Sequence, residues 1–255
     1  MAKILILDIE TIPSMVYVWR FFKENIAPKQ VIQNSTILSF AAKWYDSTYI
    51  FYDDISVHSE TKVITNLLRL LDEADIVVAH YGSKFDLPKI NARAIVLGLK
   101  PPSPYKVIDT KMVASKNFFF ESNSLEHLAN VLGCAPKQEH KEFPGFNLWI
   151  ECMKGNPKAF EECKKYNVQD VLTLEEIYEK LIPWIPNPPN FGVYSDTETA
   201  ICPKCGGTHL QKRGFYYTNV NKYQRYQCQE CGGWSRGRFT NLEKVGVKTP
   251  IVNAV

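Results

Sequence analysis

The sequence predicts an α/β protein, a mixed sheet with helices on both faces, followed by a small β-rich metal module. Three observations carry this. Apolar runs of strand type alternate with stretches of helical periodicity over the first 185 residues. Four prolines between Ile182 and Asn190 end that alternation. Two Cys-x2-Cys pairs, Cys202/Cys205 and Cys228/Cys231, then follow in a stretch too short to bury a sizeable core. The implied division is residues 1–185 for the α/β domain, 186–199 for a proline-containing linker, and 200–255 for the metal module and tail.

Lys3–Thr11 reads as the first strand. Leu5, Leu7 and Ile9 point to one face and Ile4, Ile6, Asp8 and Glu10 to the other. Apolar residues on both faces mark a central strand. The aromatic-rich stretch Val16–Phe22 reads as a loop with a short helix. Thr36–Tyr45 is a strand, and Thr48–Tyr52 its hairpin partner across Asp46-Ser47. Glu60–Ala74 is an amphipathic helix, with Val63, Leu67, Leu70, Leu71 and Ala74 on one side. Asp75–His80 is a buried strand, Asp86–Leu97 a helix stopped by Gly98, and Val107–Thr110 a short strand. Ser124–Leu132 is a helix ended by Gly133, with Ser or Asn as its cap. Asn156 and Pro157 open a long helix with an apolar stripe through Phe160, Cys163, Tyr166, Leu174, Ile177 and Leu181.

The net charge of +3 hides an asymmetry. From Ala200 onward nine basic residues, among them Lys244 and Lys248, face two acids, Glu230 and Glu243, which leaves +7 there and −4 on the rest. A basic module on a mildly acidic body suits a polyanionic partner; a merely solvated surface is the plainer alternative. No apolar run reaches the roughly 20 residues that a membrane helix needs, and Asp8 and Glu10 interrupt any N-terminal signal core. Seven cysteines, an odd number without a signal peptide, argue against a disulfide framework. A soluble, cytoplasmic protein is expected, with no membrane partner.

Asp8 and Glu10 on one face of a central strand repel each other unless a cation or donor compensates them. Taken alone, they equally fit a strand that runs out into solvent. Asp86 stands where His80-Tyr81-Gly82-Ser83-Lys84-Phe85 leads from a buried strand into a helix, and groups at such strand ends converge on a crevice. Tyr166 and Asp170 are four residues apart, hence on one face of the long helix, and that face is the apolar one. An aspartate turned to the core is costly without a partner. Asp109 also follows an apolar strand and is read as a turn or cap residue; His80 is read as a locally bonded strand-end histidine.

These residues resemble the motifs of the DEDD superfamily of 3′–5′ exonucleases, which have a ribonuclease H-like fold. The tyrosine subclass, which includes proofreading domains of DNA polymerases, is the most similar. Asp8-Ile9-Glu10-Thr11, Phe85-Asp86 and Tyr166-x3-Asp170 carry the resemblance, in the family's order, over about residues 1–185. Ser122–Gly133 and the helix end Glu179–Trp184 extend it. In one departure, Tyr81 stands where the second motif usually has Asn, a residue that helps to hold substrate in the family; the carboxylates are intact.

The resemblance implies a metal-dependent 3′–5′ exonuclease with two Mg2+ or Mn2+ ions. Carboxylates are the hard ligands such ions prefer. Asp8 would bridge both ions, Glu10 and Asp170 would complete the site of the ion that activates water, and Asp86 would hold the second, directly or through water. Tyr166 would orient the water through its hydroxyl, because a phenol with a pKa near 10 is a poor base at neutral pH.

Cys202, Cys205, Cys228 and Cys231, with 22 residues between the hooks and glycines after each pair, have the spacing of a four-thiolate structural Zn2+ site. The segment between them is aromatic and fits a hairpin, and the module resembles a zinc ribbon. Its basic and aromatic residues suit phosphate contact and base stacking; the candidates are Lys212, Arg213, Tyr217, Lys222, Arg225, Tyr226, Arg236 and Arg238. Protein contact or pure scaffolding is the alternative. The expected partner is DNA, single-stranded or at 3′ ends, with RNA not excluded. Any proofreading for a replication or repair polymerase would be in trans, since the chain has no polymerase module. The rival readings are a ribonuclease or structure-selective endonuclease on the same fold, and a non-catalytic nucleic-acid-binding protein.

Overall fold

A computed structural model describes residues 2–135, 142–197 and 199–241. Lys244, Lys248 and the rest of the expected tail lie outside the described residues. The chain divides into two compact units, Lys3–Glu179 and Lys180–Val255 with Met1–Ala2. The first is a ribonuclease H-like α/β domain.

In chain order the first unit contains β1 (Ile4–Thr11), β2 (Met15–Val16), β3 (Val31–Gln33), β4 (Ile37–Trp44), β5 (Ile50–Asp54), α1 (Glu60–Glu73), β6 (Ile76–Ala79), α2 (Asp86–Val96), β7 (Lys106–Asp109), α3 (Thr110–Asn117), α4 (Leu125–Leu132), α5 (Asn147–Met153) and most of α6 (Pro157–Leu181). The main sheet has the order β5-β4-β1-β6-β7. β1 lies at its centre, antiparallel to β4 and parallel to β6. Leu5, Leu7 and Ile9 pack with Val63, Leu67, Leu71, Leu87 and Ile90 of α1 and α2. The opposite face, which carries Asp8 and Glu10, is covered by α5 and α6, where Leu38, Leu148, Cys152, Ala159, Phe160 and Cys163 form a second core.

The position of α6 is fixed by two polar links to β4. Ser39 donates to Asn167 at 3.0 Å, and Lys43 pairs with Glu175 in a largely buried ion pair. The spacings match: four strand residues span about 13 Å and eight helical residues about 12 Å. Helix and strand therefore run side by side, and Tyr166 and Asp170 land over β1. Asn156 caps α6 through the N–H of Lys158, and Ser124 caps α4.

The structure corrects the sequence reading in several places. Residues 17–27 form no helix; a single 3-10 turn, Pro28–Gln30, precedes β3. β5 begins two residues later than expected and extends through Asp54. α3 and α5 were not anticipated. α3 follows β7 with no loop between them, and α5 is only seven residues long and lacks a side-chain cap.

In the second unit β8 (Leu210–Tyr217), β9 (Lys222–Cys228) and β10 (Trp234–Thr240) form an antiparallel sheet in the order β10-β9-β8. The expected hairpin is present, and a third strand follows the second cysteine hook. Among the described residues, no helix is long and apolar enough to cross a membrane.

Candidate active site

The carboxylates Asp8 and Glu10 of β1 and Asp170 of α6 present ligand oxygens within 4.8 Å of one another. Asp170 is buried; Asp8 and Glu10 are partly so. Each β1 carboxylate is held by a neutral donor. Asn167, fully buried, donates to Asp8 Oδ2 at 2.6 Å and to the Asp8 carbonyl at 3.4 Å. The indole N–H of Trp149 on α5 donates to Glu10 Oε2 at 3.1 Å. With Ser39 behind Asn167, Asp8 sits at the end of a relay whose dipoles all point toward the carboxylate.

Tyr166 lies one turn before Asp170, its ring edge-on to Trp149 with centroids 6.3 Å apart. Burial, and then the charges of Asp170, Glu10 and Asp8, push its phenol well above the ordinary tyrosine range. Its hydroxyl therefore stays protonated and offers a donor. Cys163, also buried beside Glu10, is kept a neutral thiol by a hydrogen bond with the Cys152 thiol and by burial.

Asp86 stands outside the close trio but is tied to the same strand, with Oδ1 accepting from the Ile9 N–H at 3.2 Å. Burial pushes its carboxyl up to about 7, against the N–H bonds from Ile9 and its own backbone and with help from Asp109. The turn before Asp86 is held by Asp109, which accepts from the N–H groups of Tyr81 and Ser83 at 3.0 and 3.1 Å, from the Ser83 hydroxyl at 2.5 Å, and caps α3 through Met112. Gly82 is required there, because a Cβ would lie 2.3 Å from the Ala79 Cβ. Tyr81 adopts a left-handed backbone (φ 65°) and is partly exposed under the ammonium of Lys111. His80 is bonded locally, Nδ1 to Thr110 Oγ1 and Nε2 to the Asn123 carbonyl.

Sequence reasoning missed Ser39, Trp149 and Asn167. Two of them left a signal. Asn167 continues the buried stripe of Cys163, Val171 and Leu174, and Ser39 interrupts an apolar strand. A polar residue at such a position must find a partner. Trp149 left none, since no helix was expected around it.

In the second unit the four cysteine sulfurs also lie within 4.8 Å of one another. The two hooks are built alike. N–H groups of Lys204, Gly207 and Gly233 point at the sulfurs of Cys202, Cys205 and Cys231, each at 3.4 Å. Four thiols with N–H donors behind them fit zinc. The candidate nucleic-acid residues do not share one surface. Strand pairing puts Arg225 and Arg236 opposite each other, with their guanidinium groups over Trp234 and Tyr223. Lys212, Tyr217, Lys222 and Tyr226 lie on the other face, where Lys222 covers Phe215. Arg213 bonds to Gln211, its carbonyl accepts from Arg225, and Arg238 lies in the irregular stretch of β10.

A mixed sheet with acids near the end of its central strand, faced by a helix that brings Asp170 to them, defines an α/β protein with a carboxylate cluster that could hold a metal ion. A family model described as RNase_H superfamily matches residues 29–182; the chain belongs to this superfamily. The matched stretch contains Asp86, Tyr166 and Asp170 and begins after Asp8 and Glu10. Among solved structures, the family B DNA polymerase from the hyperthermophilic archaeon Pyrobaculum calidifontis is similar, with a TM-score of 0.54 and 18% identity over 72% of this chain. This chain spans only 25% of that polymerase, and the likeness is one of fold. No curated protein matches the chain.

Proposed function

We propose that the protein is a metal-dependent 3′–5′ exonuclease of the tyrosine subclass, acting on single-stranded DNA or DNA 3′ ends. The observation that carries the reading is the convergence of Asp8, Glu10 and Asp170, with Tyr166 one helical turn before Asp170. The donor set is all oxygen and anionic, which fits Mg2+ or Mn2+ rather than a softer ion. When bound, two such ions supply an activated water and a stabilised leaving oxygen.

The chain's own residues do the rest. Asp8, Glu10 and Asp170 would hold the ions, with Asp86 as the fourth carboxylate. Asn167 and Trp149 each donate to one oxygen of a ligand carboxylate and so orient it. Tyr166, kept protonated, donates to the attacking water and fixes its direction without taking its proton. The zinc ribbon is assigned to nucleic-acid binding, by one of its two basic faces at a time.

Polarity and sugar preference are tested with single strands carrying nuclease-resistant linkages at one end only, as DNA and as RNA, in Mg2+ or Mn2+. Protection by a blocked 3′ end, with a blocked 5′ end cut normally, is the expected result. Cleavage of a circular strand would point instead to an endonuclease, and preference for RNA to a ribonuclease.

A further inference from the structure

Met15 and Val16 of β2 pair with Gln33 and Val31 of β3, so the chain leaves the end of β1 as a hairpin extension and returns into β4. Its tip reads Tyr17-Val-Trp19-Arg20-Phe21-Phe22-Lys23. Tyr17, Trp19, Phe21 and Phe22 are 72 to 95% exposed. So many large aromatics held in water mark a surface that is covered when the protein works.

The tip has a built shape. Glu24 accepts from the N–H groups of Trp19 and Arg20 at 2.9 and 2.7 Å. Gln30 donates to Glu24 at 2.8 Å and to the Tyr17 carbonyl at 3.0 Å. Lys23 takes a left-handed backbone (φ 57°) that turns the chain. Glu24, the only acid between Tyr17 and Gln30, is thus occupied within the loop, while Arg20, Lys23 and Lys29 are exposed.

We infer that this hairpin tip is a binding site for single-stranded nucleic acid, with bases stacking on Trp19, Phe21 and Phe22 and phosphates meeting Arg20, Lys23 and Lys29. Alternation of flat aromatics and cations is what a sequence-tolerant single-strand surface requires. The tip grows from the strand end that carries Glu10, and Trp19 is nine residues beyond it. The chain between them spans at most about 30 Å, the length of roughly nine stacked nucleotides at 3.4 Å each. The inference rests on the nuclease reading and adds to it a grip on the strand upstream of the cut.

The test uses the full chain, a labelled 15-nucleotide single strand, and fluorescence anisotropy with no Mg2+ or Mn2+ added. Replacing Trp19, Phe21 and Phe22 together by Ala weakens binding about tenfold or more; the residues are exposed, so the thermal melt stays put. Trp19→Ala alone gives a smaller loss, and Trp19→Phe restores most of it. Replacing Arg20, Lys23 and Lys29 by Ala lowers the slope of log affinity against log salt by up to about two. Unchanged affinity in the aromatic variants overturns the inference. So does unchanged affinity accompanied by lost binding to vesicles of phosphatidylserine and phosphatidylcholine, which would make the tip a membrane contact. A protein that cleaves DNA while its loop variants bind normally defeats this inference alone; one that neither binds nor cleaves defeats the nuclease reading with it.

Discussion

Replacing Asn167 by Ala removes the donor that orients Asp8. The bond lost is short, 2.6 Å, and runs to a carboxylate oxygen. Such a bond contributes about 1.5–3 kcal/mol. The change also strips Ser39 of its 3.0 Å acceptor in a fully buried place. A loss of about 2–3 kcal/mol follows for the metal-free protein, a fall of roughly 5–10 °C in melting temperature for a domain this size. Packing alone would explain that much. What separates orientation from packing is ion affinity, because loss of a group that orients a metal ligand typically weakens metal binding about 10- to 100-fold. Calorimetric titration with Mn2+ measures it, beside a melt of the same sample. Asn167→Asp, nearly the same shape, sets a carboxylate against Asp8 and should weaken the bare protein further. An Asn167→Ala protein that melts lower yet binds Mn2+ as tightly as wild type would refute the orienting role.

Other expectations follow from the same geometry. Asp86, raised to about 7 by burial, opposes folding of the metal-free protein once ionised. Its folded pKa exceeds the unfolded value near 3.8, so stability present at pH 4 is lost as pH rises through about 7. Asp86→Asn should therefore melt several degrees higher than wild type at pH 8 and level with it at pH 4, and Mg2+ should reverse the order at pH 8. Trp149→Phe keeps the ring and removes the N–H to Glu10; Mn2+ affinity should fall about tenfold, while a variant with unchanged affinity would free Glu10 from that constraint. Gly82→Ala forces a 2.3 Å contact onto Ala79 and should cost about 1–3 kcal/mol, read in the melt. Cys228→Ser should abolish stoichiometric zinc, measured by metal analysis, and weaken DNA binding more than it slows cleavage at saturating substrate.

The main elements were legible because periodicity and caps agreed. The face alternation of β1, the stripe of α6, and the caps Ser124 and Asn156 all appear where the residue types placed them. Asp109 was legible too: a carboxylate closing a strand became the cap of α3, a helix the sequence reading had overlooked. What resisted reading depends on tertiary contact. Glu10 meets Trp149 from a seven-residue helix with no cap and no long period. Asp8 meets Asn167 only because two β4 links hold α6 in register. The sequence shows basic and aromatic residues interleaved in the second unit, but only strand pairing reveals that they divide between two faces. The aromatic run after β1 reads as a loop with a short helix; the loop is there without the helix, and its aromatics are exposed rather than packed in a core.

The most direct measurement uses a 5′-labelled single DNA strand with Mn2+ and three proteins: wild type, Asp8→Ala and Asp170→Ala. Wild type should give a ladder that shortens from the 3′ end, and both variants, folded and still binding the strand, should leave it intact. A ladder of equal rate from Asp8→Ala, or no cleavage by wild type at any Mn2+ concentration, would contradict a catalytic metal site built on the central strand.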